Sequence, residues 1–123
     1  MMDRLAVTGL GLMTGLGLDL ETTWQGLMEM KRAAKRFTLF DPTGLPATFG
    51  VELPEKANAL FEEKVQTRKR KQMTRANMIA VCTTKMAVDD AGLGLDEMDR
   101  SRVGMVYGAT GTGYAPQSKE VDE

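Results

Sequence analysis

Histidine is absent from the sequence of 123 residues, and cysteine occurs once, as Cys82. The first absence removes the side chain that most often acts as a general base near neutral pH and most often supplies nitrogen to a metal. Catalysis by a serine–histidine or cysteine–histidine pair within this chain alone is therefore excluded. A single cysteine also excludes an internal disulfide, and it predicts a reducing, cytoplasmic location.

Long hydrophobic runs are absent too. The uncharged stretch at residues 5–18 contains four glycines and is too short to span a bilayer. It makes a poor signal peptide, because Asp3 offsets Arg4 and no clear small-residue cleavage site follows. The net charge of −1 gives no overall field that would attract nucleic acid or a membrane. We expect neither as a partner, so any electrostatic function needs a local cluster of charge.

The composition, with 42% hydrophobic and 27% charged residues, is typical of a globular chain that forms one small domain or part of a larger one. Periodicity and turn residues predict a strand at 4–8, a helix from the N-cap Asp19 to about residue 30, an extended piece at 47–53, a helix at 55–65, a long helix at 71–91 ending at Gly92, and a strand at 102–107. This order predicts an α/β fold with a parallel or mixed sheet and flanking helices. Because two strands make a poor sheet, further strands are expected from another segment or chain.

Glycines cluster after the first predicted strand, where they invite interpretation as a dinucleotide-binding turn. That motif needs glycine at the first, third and sixth positions, directly before a helix. Counting from Gly9, Gly11 is in place, but the sixth position is Thr14 and no helix follows at once. We therefore disfavour a nucleotide site.

Several separated pieces of the sequence instead form an ordered set over residues 4–114: the sequences at 7–11, 21–24, 40–46, 89–93 and 102–104. In this order and spacing they resemble one family, the elongating β-ketoacyl-acyl-carrier-protein synthases. Each piece alone is weakly specific, whereas the ordered set is specific. The chain departs from the family pattern at Gly15, where proline is common, at Thr74, where aspartate is common, and at Thr110 and Thr112, which interrupt a glycine-rich turn. These departures indicate a divergent member, suited to a specialised pathway.

The resemblance implies a partial thiolase-like fold, with residues 1–123 as an incomplete N-terminal domain and 115–123 as a flexible end. It also implies a decarboxylative condensation of acyl and malonyl thioesters, in fatty-acid or polyketide synthesis. In the family the nucleophilic cysteine and two catalytic histidines follow the segment seen here. We therefore expect no catalytic residue in this chain, no activity from the chain alone, and no cofactor beyond the phosphopantetheine that the acyl carrier protein delivers.

Cys82 is not a plausible substitute for the missing nucleophile. It lies in the middle of the long predicted helix, between Met78 and Met86 at helical spacing. A thiol away from a helix N-terminus and from cations has little reason to ionise. We predict that Cys82 packs in the core, as free cysteine often does.

A basic cluster is the best candidate for function. Its members, Lys64, Arg68, Lys69, Arg70, Lys71 and Arg75, have no acidic residue among them. Such a run is most often a solvated helix entry. In the resembled family, however, Arg68 and Lys71 match basic residues that dock the acidic acyl carrier protein, and Lys69 lies between them. Two interpretations therefore stay open: docking of a carrier protein at Arg68, Lys69 and Lys71, and a solvated helix entry. Binding of nucleic acid is less favoured, because no aromatic residue is interleaved with the basic residues.

Two further expectations concern the acyl-chain pocket and the assembly of the chain. Gly111 corresponds to a residue at the border of the acyl-chain pocket, although a simple tight turn that needs positive φ is the favoured explanation for a glycine here. The chain is expected to pair with copies of itself or with a completing chain. An alternative function is a non-catalytic subunit, like a chain-length factor, that binds carrier protein or a partner chain.

Overall fold

The computed structural model describes residues 4–94 and 96–109. In chain order the elements are α1 (Leu20–Met28), β1 (Ala34–Arg36), β2 (Phe49–Val51), α2 (Ala57–Lys64), α3 (Thr67–Arg70), α4 (Arg75–Asp90) and a single 3₁₀ turn at Arg100–Arg102. None of the described helices is long and apolar enough to cross a membrane.

Helix α1 begins where its capping residue predicts. The Asp19 carboxylate accepts hydrogen bonds from the Thr22 backbone N–H and hydroxyl, each at 2.7 Å. It thereby satisfies one of the N–H groups that the first helical turn leaves without a partner. The helix ends at Met28, and Met30 takes a positive φ of 51° as the chain leaves it. The large apolar side chains of this helix, Leu20, Trp24, Leu27 and Met28, are exposed.

Strands β1 and β2 form one small antiparallel sheet, which places the predicted extended piece at 47–53 correctly. Ala34 pairs with Val51, Lys35 with Gly50, and Arg36 with Phe49. A buried carboxylate, Glu52, follows directly after β2 and ties residues 38–39 to the end of this sheet.

The long helix α4 starts four residues later than predicted, at Arg75. The Thr74 hydroxyl accepts a hydrogen bond from the Asn77 N–H at 3.2 Å, so the helix begins at this cap. The four residues Thr67–Arg70 form the separate helix α3 before it. The predicted end is confirmed: Gly92 has a φ of +63°, the left-handed conformation in which glycine commonly ends helices.

The core lies between α2 and α4. Its fully packed members are Ala57, Phe61, Val65 and Cys82, and several methionines and aliphatic side chains cover them partly. Cys82 is therefore a core residue, as predicted. Burial raises the pKa of its thiol, which keeps the sulfur protonated at neutral pH.

The glycine-rich segment after residue 8 lies against the backbone of α4. A Cβ added to Gly9 would lie 2.6 Å from the Ala91 nitrogen, and one added to Gly11 would lie 2.6 Å from the Ala87 nitrogen. Between them, the Leu10 N–H donates to the Asp90 carboxylate at 2.8 Å. These glycines allow the N-terminal segment to lie directly against α4. The first helix after them begins only at Leu20. This geometry is unlike a dinucleotide-binding turn.

The strands predicted at 4–8 and 102–107 are wrong for the described residues, which show one antiparallel pair of strands and do not confirm the parallel or mixed sheet. Both segments lack secondary structure apart from the end of the 3₁₀ turn at Arg102, and their apolar side chains are exposed: Leu5 by 98% and Val106 by 101%. A strand exists only when a neighbour accepts and donates its backbone hydrogen bonds. Within 4–94 and 96–109, neither segment has such a neighbour.

Candidate functional site

Helix α3 and the turn after it hold the three residues predicted to dock a carrier protein. Arg68 and Lys69 belong to α3, and Lys71 is its C-cap with helical dihedral angles. All three side chains are exposed. Arg68 and Lys71 are three residues apart in helical conformation, so they lie on the same side of α3.

The other three members of the basic cluster are engaged within the fold. Lys64 Nζ lies 3.4 Å from Asp89 Oδ2, and this hydrogen bond is the main reason that the pKa of Lys64 is raised. The Arg75 guanidinium donates to Asn58 Oδ1 at 3.1 Å, with its carbon 5.3 Å from the centre of the Phe61 ring. Both side chains are therefore committed to contacts between α4 and α2.

Arg70 is the third engaged cation. Its Nη1 lies 3.3 Å from Glu62 Oε1 on α2, and its Nη2 donates to Thr67 Oγ1 at 3.2 Å. Among the described residues, Arg68, Lys69 and Lys71 form no ion pair. The six-residue cluster thus consists of three cations engaged within the fold and three exposed cations without an ion pair in the described structure. The latter, Arg68, Lys69 and Lys71, are called the docking triad after the role predicted for them.

The Glu62–Arg70 pair was not predicted from the sequence. The two residues are eight positions apart and lie on different helices, so no helical spacing rule connects them. The extended connection at residues 65–66 turns α3 relative to α2 and brings the two side chains together. A cleft of about 520 Å³ opens at this place, lined by Asn58, Phe61, Glu62, Thr67, Arg70, Lys71 and Met78.

The remaining predicted site residue is Gly111, and the remaining kind of site is a metal site. Gly111, the predicted border of the acyl pocket, lies outside the described residues, as do Thr110, Thr112 and residues 115–123. Within 4–94 and 96–109, no group of three or more histidine, cysteine or acidic residues could hold a metal ion. The exposed basic side chains of Arg68, Lys69 and Lys71 are the candidate site in the described part of the chain.

Comparison with known proteins supplies the family. Residues 2–123 match the N-terminal domain of the β-ketoacyl synthases, and the chain belongs to that family. The thiolase-like α/β fold of that domain is thus the fold class of the chain, of which the described residues show the helices and one small antiparallel sheet.

Three curated relatives illustrate the similarity. The 3-oxoacyl-[acyl-carrier-protein] synthase 2 of Synechocystis sp. is 34% identical over 110 residues, which are 89% of this chain and 26% of the relative. Nodulation protein E of Rhizobium sp. (strain N33) is 30% identical over 90% of this chain and 27% of its own length. A 3-oxoacyl-[acyl-carrier-protein] synthase 2 of Coxiella burnetii is 30% identical over 92% of this chain and 26% of its own length. The chain thus spans about a quarter of these relatives.

Proposed function

We propose that this chain is the N-terminal part of a β-ketoacyl-acyl-carrier-protein synthase and that its docking triad receives the acyl carrier protein. The complete enzyme would join acyl and malonyl thioesters with loss of carbon dioxide, in fatty-acid or polyketide synthesis, with phosphopantetheine supplied by the carrier. The family match supports the reaction class. A cytoplasmic location is part of the proposal, supported by the single reduced cysteine.

The observation that carries the docking proposal is that the three side chains of the docking triad are exposed and not neutralised. Arg68, Lys69 and Lys71 are exposed, close together in sequence and without an acidic partner in the described part of the chain. An acidic protein surface gains most from cations that no internal carboxylate already neutralises. Such contacts also accelerate association at low ionic strength.

Titration of a holo acyl carrier protein against charge-reversal variants tests the docking surface. We expect Arg68→Glu and Lys71→Glu each to weaken binding by about tenfold, because each replaces an attraction by a repulsion. Arg32→Glu is the matched control, since Arg32 is exposed, lies between α1 and β1 and forms no ion pair in the described structure. Unchanged affinity in both triad variants would remove the docking proposal.

We further propose that the chain alone is not competent for condensation. The support is chemical: there is no histidine in the sequence, and the only cysteine is buried with a raised pKa. The test is an assay of carbon dioxide release and chain elongation with acyl- and malonyl-carrier thioesters. Elongation above the rate in buffer would contradict the proposal.

The exposed apolar segments support a completing partner, either further polypeptide or a second chain. Leu5, Val7, Met105 and Val106 are each exposed, and unpaired strand-like segments of this kind are normally covered in a folded protein. Native mass spectrometry tests the pairing. A strictly monomeric species of 13.5 kDa at high concentration would argue against self-association.

A non-catalytic subunit that binds carrier protein remains the alternative function. The same docking triad would serve it, so carrier affinity does not separate the two functions. Coexpression with a candidate completing chain does: restored condensation identifies a catalytic synthase, and carrier binding without condensation identifies the non-catalytic subunit.

A further inference from the structure

Arg70 differs from the docking triad in what its side chain contacts. It lies on the same short helix α3, yet it contacts Glu62 of α2, and its side chain is only 23% exposed. Glu62, in contrast, is 70% exposed. An exposed carboxylate therefore lies directly beside a surface that we assign to an acidic partner.

The contact between these two residues leaves much of the guanidinium unused. Glu62 reaches only Nη1, and Thr67 accepts from Nη2. The Nε–H of Arg70 is buried and has no acceptor in the described structure. An arginine fork binds a carboxylate best through two parallel N–H donors, so the present arrangement is a weak version of the pair.

The cleft beside α3 connects this pair to the docking triad. Arg70 and Lys71 both line it, together with Glu62. A carboxylate that approached Lys71 would therefore enter the space that Arg70 and Glu62 share. There it would be repelled by Glu62 and attracted by Arg70.

We propose that Glu62 competes with the acidic carrier protein for Arg70 and so sets the strength and selectivity of docking. This inference rests on the docking function proposed above. In the unbound chain Glu62 holds Arg70. In the complex a carrier carboxylate takes over the guanidinium, and Arg70 becomes the fourth docking cation. Partners with too little negative charge would not displace Glu62.

Removal of the competing charge is the first test, by calorimetric titration of a holo acyl carrier protein at low salt. We expect Glu62→Gln to bind about threefold tighter than the unaltered chain, as the loss of one partly screened repulsion allows. Glu55→Gln is the matched control, because Glu55 is exposed, lies just before α2 and forms no ion pair in the described structure. Affinity of Glu62→Gln equal to that of the control would overturn the inference.

The second test asks whether Arg70 itself reaches the carrier. In the Glu62→Gln background we expect Arg70→Gln to weaken binding by about threefold or more, since a charge-assisted hydrogen bond is lost. Arg70→Lys in that background keeps the charge and serves if the glutamine variant folds poorly, as judged by circular dichroism at 222 nm. No loss of affinity from either Arg70 variant would overturn the inference.

Salt dependence separates competition from a purely structural role. If the Glu62–Arg70 contact only held α2 and α3 together, its loss would leave the dependence of carrier affinity on salt concentration unchanged. Removal of the Glu62 charge should steepen it, because a larger share of the binding is then electrostatic. If Arg68→Glu and Lys71→Glu weaken binding while the Glu62 and Arg70 variants leave the affinity unchanged, docking stands and only the competition fails.

Discussion

Substitution of Gly11 by alanine gives the sharpest test of how the N-terminal segment is held. The added Cβ would lie 2.6 Å from the Ala87 nitrogen and closer still to the Thr83 carbonyl oxygen. Both neighbours are backbone atoms of α4, so neither can rotate away. The segment must move off the helix, and the hydrogen bond from Leu10 to Asp90 weakens as it moves.

The expected cost follows from three contributions. Overpacking against a fixed neighbour costs about 1–3 kcal/mol, and a lost hydrogen bond costs about 1 kcal/mol. Alanine stiffens the unfolded chain relative to glycine, which returns about 0.4–1 kcal/mol. We therefore expect Gly11→Ala to lower the free energy of unfolding by about 2 kcal/mol. This is a large share of the total free energy of unfolding of a typical domain, about 5–15 kcal/mol.

Two other glycines supply the controls. Gly92 has open space around it but a φ of +63°, so Gly92→Ala tests backbone conformation alone, at about 1–2 kcal/mol. Gly104 has open space and no positive φ, so Gly104→Ala should change stability by less than about 1 kcal/mol. Urea denaturation followed by circular dichroism measures all three. If Gly11→Ala were as stable as Gly104→Ala, the close contact between the N-terminal segment and α4 would be refuted.

Three further outcomes are expected. Asp19→Ala should cost about 1 kcal/mol in urea denaturation, because the Thr22 N–H loses its cap; Asp19→Asn should restore most of it. Hydrogen bonds, chiefly from the Thr38 N–H, hold the pKa of Glu52 below its usual 4.5. Its stabilising contribution should thus be complete above that pH and vanish as the pH falls through the lower folded-state value, so Glu52→Gln should flatten acid denaturation curves. Cys82 should react with a disulfide reagent slowly in the native chain and rapidly in urea; fast native labelling would contradict its burial.

Elements with a local chemical signal were predictable from the sequence. The Asp19 side chain caps the start of α1, and the backbone freedom of Gly92 allows the positive φ that ends α4. Both boundaries could therefore be predicted from a single residue. The start of α4 was placed too early because the charged residues before it favour a helix in general, whereas the Thr74 cap decides where this one begins. Propensity averages over a window, and a cap acts at one residue.

The strand predictions failed for a different reason. Residues 4–8 and 102–107 have strand-like composition, but a strand depends on a partner that composition does not specify. Only part of the candidate site could be predicted from the sequence. The charges of Arg68 and Lys71 are evident from the sequence, while the engagement of Arg70 by Glu62 depends on how α3 is turned relative to α2.

The exposure of the two apolar segments has a consequence for how the chain folds. Helices α2 and α4 pack through contacts between residues fairly near in sequence and should form early. Any pairing that covers residues 4–8 or 103–107 requires a distant part of the polypeptide or a second chain and should form late. During that interval the uncharged run from Val103 to Tyr107 is open to association with neighbouring molecules, with Arg102 as a flanking charge that opposes it. Yield on refolding should therefore fall steeply as protein concentration rises.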